Sequence, residues 1–551
     1  MPKRVTNPRP ALTALTAALA LLGAAGCSQR TRQPAYTHVI LFIGDGMSLE
    51  SEIATSRYLY GRDRALAWHA LPNQWYQATW DVTAYDLDAK AAGRAPYSPR
   101  TFMPSLAYDA SREGSRPYPD QGSTGTLRPP ARPATDSASA ATALATGSKT
   151  ESGNLAWRPG DRPDGRLPTI AEDLRGERGG TIGVVTTVPF NHATPAAFVS
   201  HNASRGHYYT GYRGYAGLGI ADEIILETKP EVVIGAGHPL FDNPSFDTNK
   251  GYISERLYRT LQASTEYVLA ERKGGVDGGQ TLAAAAEEAA ARGKKLFGLF
   301  GGPDEDFVHA MPEVSPGSPR WSRESVEDPT LEQAALAALR VLDRDPRGFF
   351  LMVEQGDIDW ANHDNDFRRM IAAVADLDAA VRGVLEFIDR PGDDIDWTNT
   401  LVIVTADHAT GGLRLDPRKP LGAGELPDQI ARPKAAAEPA RTGGQAANGR
   451  RHAFVGPSVP AGESPFFYPN GEVSYSTIGH TNELVTLAVS KGAAPLFLGY
   501  EGLWYPGPII DNTQVNAAMR EALGLGGRTT LLLSADVVTG EPGPAGRSAA
   551  K

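Results

Sequence analysis

The 551-residue chain contains one cysteine, Cys27. A lone thiol excludes an intrachain disulfide, so the mature protein must be held together by its core and its backbone hydrogen bonds. Basic residues are also in deficit: 54 Lys and Arg stand against 64 Asp and Glu, a net charge of −10. That balance argues against nucleic acid as a general partner, because phosphate backbones are held by an excess of Lys and Arg. It leaves small phosphorylated substrates open. Long apolar runs are scarce as well. The Ala/Leu-rich stretch from Ala11 to Ala25 is too short to span a bilayer. The sequence carries no internal repeat.

What is present at the N-terminus is a targeting segment. Lys3, Arg4 and Arg9 precede the apolar stretch, and Gly26-Cys27 follows small residues. This arrangement resembles the lipobox of bacterial lipoproteins, with Ala24 where Leu is usual. The resemblance implies that residues 1–26 are removed and that Cys27 is acylated as the first mature residue. The expected location is the periplasm or cell surface, with membrane contact only through that lipid. A plain cleaved signal peptide is the alternative.

The remainder has an ordinary soluble composition, 41% hydrophobic and 21% charged, with 59 Gly and 42 Pro that imply many ordered loops. Apolar runs of strand length occur at His38 to Ile43, Thr181 to Thr187, Phe349 to Val353 and Thr400 to Thr405. Helical patterns lie between them, at Thr281 to Arg292, Leu331 to Leu342 and along the stripe Met370, Val374, Leu377, Val381, Val384 and Ile388. Alternating strands and helices predict an α/β fold with a central, mostly parallel sheet covered by helices on both faces. Residues 35–551 are read as one catalytic domain. Two stretches interrupt it, a Pro/Tyr-rich one over 86–134 and a Gly/Pro/Ala-rich one over 413–475, both read as surface insertions that could also form a lid.

In parallel sheets, ligands gather outside the carboxyl ends of the strands. Polar residues with chemistry stand at those ends here. The segment FFLMVEQGDIDWANHDN, from Phe349, runs from a strand into Glu354, Asp359 and His363. If one helix includes Asp359 and His363, their i, i+4 spacing puts both on one face. Asp45 leaves its strand between glycines, Asp407 and His408 stand side by side after another, and His480 lies downstream. Asp45, Asp359, Asp407, His363, His408 and His480 form an N/O donor set that suits zinc, with enough ligands for two ions. The small-residue segment Ala138 to Thr146 reads as a helix with Ser137 at its start, where exposed N–H groups favour an anion. Asp136 or Ser137 acting simply as a helix cap is the competing reading. Arg205 could grip two phosphate oxygens with its planar fork, and His192 and Thr194 follow the strand Thr181 to Thr187.

Taken in order, the stretches VILFIGDGMS (39–48), TDSASAATALATGSKT (135–150), NHATPAAFVSHNASR (191–205), GFFLMVEQGDIDWANH (348–363), TLVIVTADHATGG (400–412) and GHTNE (479–483) resemble the alkaline phosphatase family of secreted metal-dependent phosphomonoesterases. The resemblance implies that family's three-layer sandwich. It further implies that Ser137 is a nucleophile that becomes phosphorylated, that Asp136 orients Arg205, and that Arg205 clamps the phosphoryl group. Asp359, His363 and His480 would hold one Zn2+, Asp45, Asp407 and His408 a second, and Asp45, Thr194 and Glu354 one Mg2+. His192 stands near the third metal where some members carry an acid, and Trp360 stands near the phosphate where others carry lysine or histidine. Small phosphate monoesters are the implied substrates, and a homodimer is left open.

Two alternatives remain. A phosphodiesterase of the same superfamily would share the metal centre, whereas a sulfatase would need a Cys/Ser-x-Pro-x-Arg segment and Ser137 is followed by Ala-Ser-Ala-Ala. A non-catalytic exported metal or phosphate binder is the reading from a different class.

Overall fold

The protein is described by a computed structural model over residues 36–108, 134–211, 217–240, 246, 251–302, 306–323, 325–392, 394–432 and 464–526. The expected signal segment with Cys27, residues 109–133 of the first insertion and residues 433–463 of the second lie outside the described residues.

Ten strands form the main sheet: β1 (His38–Gly44), β2 (Asn73–Ala78), β3 (Thr181–Pro189), β4 (Val232–Ala236), β5 (Tyr267–Glu271), β6 (Lys295–Leu299), β7 (Phe349–Gln355), β8 (Thr400–Thr405), β9 (Val485–Val489) and β10 (Ile509–Asp511). Their order is β10-β2-β9-β8-β1-β7-β3-β4-β6-β5. Pairing is parallel throughout from β8 to β5, and only β9 runs against its neighbours β8 and β2. The continuous apolar run of β1 follows from burial on both faces. Ile40 and Phe42 enter one core, and Val39, Leu41 and Ile43 enter the other. Each such side chain, fully buried, contributes roughly 1.5–3 kcal/mol.

Helices cover both faces. On the first lie α1 (Leu49–Tyr60), the helices Gly278–Arg292 and Leu331–Leu342, and the long helix described below. Helix α2 (Val82–Ala91) packs in a third, smaller cluster, and on the second face lie α3 (Ser137–Thr146) and α4 (Ala193–Val199), together with Ile170–Arg178 and Asn512–Ala522. The α/β expectation therefore holds, and the strands and helices read from the apolar patterns all form.

Three local differences matter. The helix of the Met370 stripe does not reach back to Asp359 and His363: these share a separate short helix, α5 (Asp357–His363), and the stripe lies on α6 (Phe367–Ile388). The break falls at Asn365, whose φ of 53° is left-handed and whose side chain donates to the Asn362 and Thr477 carbonyls at 2.9 Å each. Short polar side chains tolerate that backbone region. Second, Asp136 caps α3 by accepting from Ser139 N, so Ser137 is the first helical residue. Third, the start of the 86–134 stretch is not loose surface. Tyr97, Phe102 and Tyr108 pack with Trp80, Tyr85 and Tyr505, because aromatic rings this dense bury themselves wherever the backbone allows. The ends of the 413–475 stretch are likewise pinned by antiparallel pairing of Leu413–Leu415 with Val473–Tyr475. Among the described residues, no helix is long and apolar enough to cross a membrane.

Candidate active site

The register of the sheet places the polar residues together. Ile43 sits level with both Glu354 and Thr405, and Thr186 is level with Glu354. Asp45, Glu354, Asp407 and His408 therefore emerge at one edge, side by side. Gly46 lets the chain pass there. Its φ is 69°, and a Cβ would come within 2.7 Å of Asp359 Cα and of its carboxylate, so only glycine fits between the β1 end and α5.

Two groups of donors result. In the first, His363 Nε2 lies 3.2 Å from Asp359 Oδ2 and 3.1 Å from His480 Nε2, and His480 Nε2 lies 3.5 Å from Asp359 Oδ1. The outer nitrogens are committed elsewhere: His363 Nδ1 bonds the Ile478 carbonyl and His480 Nδ1 bonds the Thr135 carbonyl at 2.7 Å. A carbonyl can only accept, so Nδ1 of each ring carries a hydrogen and Nε2 is the nitrogen that faces the shared space, where the Asp359 carboxylate outweighs burial and lifts His363 to about 9. In the second group, His408 Nε2 lies 3.3 Å from Asp407 Oδ2, 3.5 Å from Asp45 Oδ1 and 3.2 Å from Ser137 Oγ. Thr410 Oγ1 links the two groups, donating to Asp359 Oδ1 at 2.6 Å and lying 3.3 Å from His408 Nδ1. Beside them Thr194 Oγ1 is 3.4 Å from Asp45 Oδ2, and Thr186 Oγ1 donates to Glu354 Oε2 at 2.5 Å.

The electrostatics of this set are unbalanced. Burial, and then the neighbouring carboxylates, hold the Asp45 and Asp407 carboxyls well above their ordinary range, and burial raises Glu354. Burial and the facing His480 push His408 well down. Asp45 Oδ1, Asp407 Oδ2 and Glu354 Oε1 are buried acceptors without a hydrogen bond. Acceptors crowded together and lacking donors are what a bound cation satisfies. The donor set, imidazole nitrogen and carboxylate oxygen, fits zinc in both groups, and the all-oxygen set of Asp45, Thr194 and Glu354 fits magnesium.

The anion side is built on α3. Ser137 stands in its first turn, where N–H groups and the helix dipole favour negative charge. Arg205 donates to Asp136 Oδ2 at 3.1 Å and lies 3.3 Å from His192 Nε2. Burial and the adjacent guanidinium lower His192 to about 3, so the ring is neutral and accepts from Arg205. His192 also meets Trp360 edge-on, with ring centroids 5.8 Å apart.

A sequence model of the alkaline phosphatase family matches residues 114–522, well over half of the chain. The chain belongs to that family. Alkaline phosphatase 4 of Bacillus subtilis is 31% identical over 281 residues, 51% of this chain and 50% of that protein. The alkaline phosphatase of Escherichia fergusonii is 30% identical over 400 residues, 68% of this chain and 70% of that one. The chain thus spans about half the length of the first curated relatives it matches. The solved structure of Thermus thermophilus alkaline phosphatase has the same fold, with a TM-score of 0.53 at 23% identity over 92% of this chain and 95% of that one.

This member of the alkaline phosphatase family brings together every described residue singled out in the sequence: Asp45, Asp136, Ser137, His192, Thr194, Arg205, Glu354, Asp359, Trp360, His363, Asp407, His408 and His480. Others were not singled out. Thr410 could have been found, since it lies two residues after His408 within the 400–412 stretch; in the structure it pairs with His480 in a two-residue ladder. The frame beneath α5 could not. Gln355 Oε1 accepts from Asp357 N at 2.8 Å, Arg369 donates to Asp357 at 2.6 Å and to Asp306, and His309 bonds the other Asp357 oxygen. Asp306, His309 and Asp357 resemble a further cation site in outline. With Arg369 and His309 as counter-charges, that cluster instead fixes the start of the helix that carries Asp359.

Proposed function

We propose that the protein hydrolyses phosphate monoesters to an alcohol and inorganic phosphate through a phosphoseryl intermediate on Ser137. The observation that carries this reading is the placement of Ser137 Oγ, in the first turn of α3, 3.2 Å from the same His408 nitrogen that faces Asp45 and Asp407. A plain metal or phosphate binder has no use for a buried hydroxyl at that point.

Asp359, His363 and His480 would hold one zinc ion, Asp45, Asp407 and His408 a second, and Asp45, Thr194 and Glu354 a magnesium ion. When bound, the zinc pair supplies charge that favours the serine alkoxide and neutralises the departing oxygen. The remaining work falls to the chain. Arg205 grips two non-bridging oxygens, and Asp136, bonded to the guanidinium at 3.1 Å, sets its plane. The first turn of α3 adds N–H groups toward the phosphate. The side chains of His363 and His480 are 35% and 16% exposed while Asp45, Asp407 and His408 are buried, so the alcohol part of the substrate enters and leaves over the first donor group. The targeting segment and Cys27 support export with a lipid anchor.

Turnover of a simple aryl phosphate, compared with its diester, tests the reading. Monoester turnover should dominate, vanish on chelation and return with zinc plus magnesium. A preference for the diester would instead favour the phosphodiesterase alternative.

Trp360 sets the strength of product binding in this proposal. It stands edge-on to His192, the ring that accepts from Arg205, and brings no charge there. Trp360→Lys brings an ammonium to the phosphate, and inhibition by inorganic phosphate should tighten by about tenfold, equivalent to about 1.4 kcal/mol. An unchanged inhibition constant would count against a place for Trp360 beside the phosphate.

A further inference from the structure

Behind the Ser137 helix lies a second buried carboxylate, Asp81, that no step above uses. It caps α2, accepting from Ala84 N at 2.7 Å with Oδ1, and its Oδ2 meets Ser152 Oγ at 2.5 Å and Ser139 Oγ at 3.2 Å. Ser139 also lies 2.8 Å from Asp136 Oδ1, the carboxylate whose other oxygen holds Arg205. Asp81 and Ser139 are both almost wholly buried, at 1% and 2% exposure, so no solvent relieves the arrangement.

Counting hydrogens exposes a conflict. Ser139 has one hydroxyl hydrogen, and two carboxylates, Asp81 and Asp136, are placed to take it. Thr135 Oγ1, at 2.9 Å, can supply a hydrogen to Ser139 Oγ but removes none of the competition. If Asp81 carries a proton on Oδ2 while still accepting from Ser152 Oγ, that proton goes to Ser139 Oγ, and the Ser139 hydrogen turns wholly to Asp136, to its carboxylate at 2.8 Å in preference to its carbonyl at 3.1 Å. If Asp81 is ionised, that hydrogen is shared, and a second negative charge stands behind Asp136.

We propose that Asp81 is a positioning residue for the phosphate clamp: through Ser139 its protonation state decides how strongly Asp136 holds Arg205, and so how firmly phosphate is gripped. The inference rests on the phosphomonoesterase reading and deepens it. With Asp81 neutral, Asp136 is satisfied by Ser139 Oγ, Ser139 N and Gly153 N, and Arg205 is freer to turn both arms to phosphate. With Asp81 ionised, Asp136 draws the guanidinium back.

The window lies near neutrality. Burial raises Asp81 to about 7 and nearby Asp136 adds to the rise, against the hydrogen bonds from Ser152, Ala84 N and Ser139. The charged groups that face it are Asp136 from α3 and Lys149 from the loop after α3. Lys149 is itself occupied, donating to Asn512 Oδ1 at 2.6 Å and to the Trp80 carbonyl at 2.8 Å, and it is paired at 3.3 Å with Asp511 at the end of β10. Asp136 does not compete for the titration, because Arg205 and the donors around it outweigh its burial and hold it at about 2.

The test is the inhibition constant of inorganic phosphate, measured on the metal-loaded full-length protein across pH 5.5–9 in wild type and in Asp81→Asn. Taking the ratio of the two constants at each pH cancels the ionisation of phosphate itself. The wild-type constant divided by that of Asp81→Asn should stay near unity at the acid end and rise roughly three- to tenfold through neutrality, the scale of one added charge screened over several ångströms. Ser139→Ala should flatten the same dependence, and adding Asp81→Asn to it should change nothing further. A flat ratio overturns the role of Asp81. If Asp81→Asn does not fold, a Ser139→Ala profile parallel to wild type overturns it equally. A wild-type protein without phosphatase activity would sink the phosphomonoesterase reading, whereas an active wild type with a flat ratio sinks only this inference.

Discussion

Ser137→Ala is expected to reduce phosphomonoester turnover by at least ~10³-fold, the scale on which nucleophile deletions act. Zinc content and fold should stay at wild-type values. The reasons for this separation are local. Asp136 caps α3 through its own side chain and accepts from Ser139 N, so the helix start does not depend on the Ser137 hydroxyl. None of the nitrogen and carboxylate donors that converge on the two groups belongs to Ser137. The loss therefore isolates the hydroxyl that the proposed mechanism uses as nucleophile. A quenched-flow or acid-quench experiment with labelled monoester adds a second reading, since the wild type should retain phosphate on serine and the variant should retain none. Turnover within about tenfold of wild type would mean that water attacks the phosphorus directly, and the phosphoseryl mechanism would fall.

How much of this was readable in the sequence depends on what each residue answers to. The strands β1, β3, β7 and β8 were legible because parallel strands buried on both faces are continuous apolar runs, and α6 because its stripe repeats every three to four residues. Asp45, Glu354, Asp407 and His408 were legible because they stand at strand ends, and a strand end is a sequence-local event. Asp45 follows Gly44, and Asp407 and His408 follow Thr405 within three residues. What was not legible depends on pairs far apart in the chain. Asp81 meets Ser139 across 58 positions, and Gln355, Asp357 and Arg369 need loop residues His309 and Asp306 to complete their frame. The break between α5 and α6 belongs to the same class. It is set by Asn365 reaching the Thr477 carbonyl, a contact no local pattern records. Aromatic residues within the Pro/Tyr-rich stretch had the composition of a surface loop, but their partners Trp80 and Tyr505 turn its first part into core.

Asp359→Asn should be as damaging as loss of the nucleophile on poor leaving groups and markedly milder on good ones. Asp359 is the only carboxylate in the first donor group, and it faces His363 at 3.2 Å and His480 at 3.5 Å. Burial would raise its carboxyl, but the His363 imidazole, itself lifted to about 9 by Asp359, leads the facing rings in outweighing burial and holds it well below the usual range, so the native residue is an anion. Asparagine preserves shape and can still accept from Thr410 Oγ1, which keeps the close passage of Gly46 intact. What it removes is charge. A unit charge about 4 Å away is worth about 4 kcal/mol at an effective dielectric near 20, enough to empty a site left with two neutral imidazoles. The second group and the Asp45, Thr194 and Glu354 set keep all their donors, so bound zinc should fall by about one equivalent with magnesium retained. Without the first cation, the departing oxygen must leave uncompensated. An alkyl phosphate, whose alkoxide is strongly basic, should then lose roughly 10³-fold or more, and an aryl phosphate with an acidic phenol should lose at least tenfold less. The measurement is kcat/KM across monoesters graded by leaving-group pKa, with metal content determined on the same samples. A uniform loss across the series would place the first donor group away from the leaving oxygen and overturn its assignment, whereas a steeper dependence than wild type is the outcome the geometry demands.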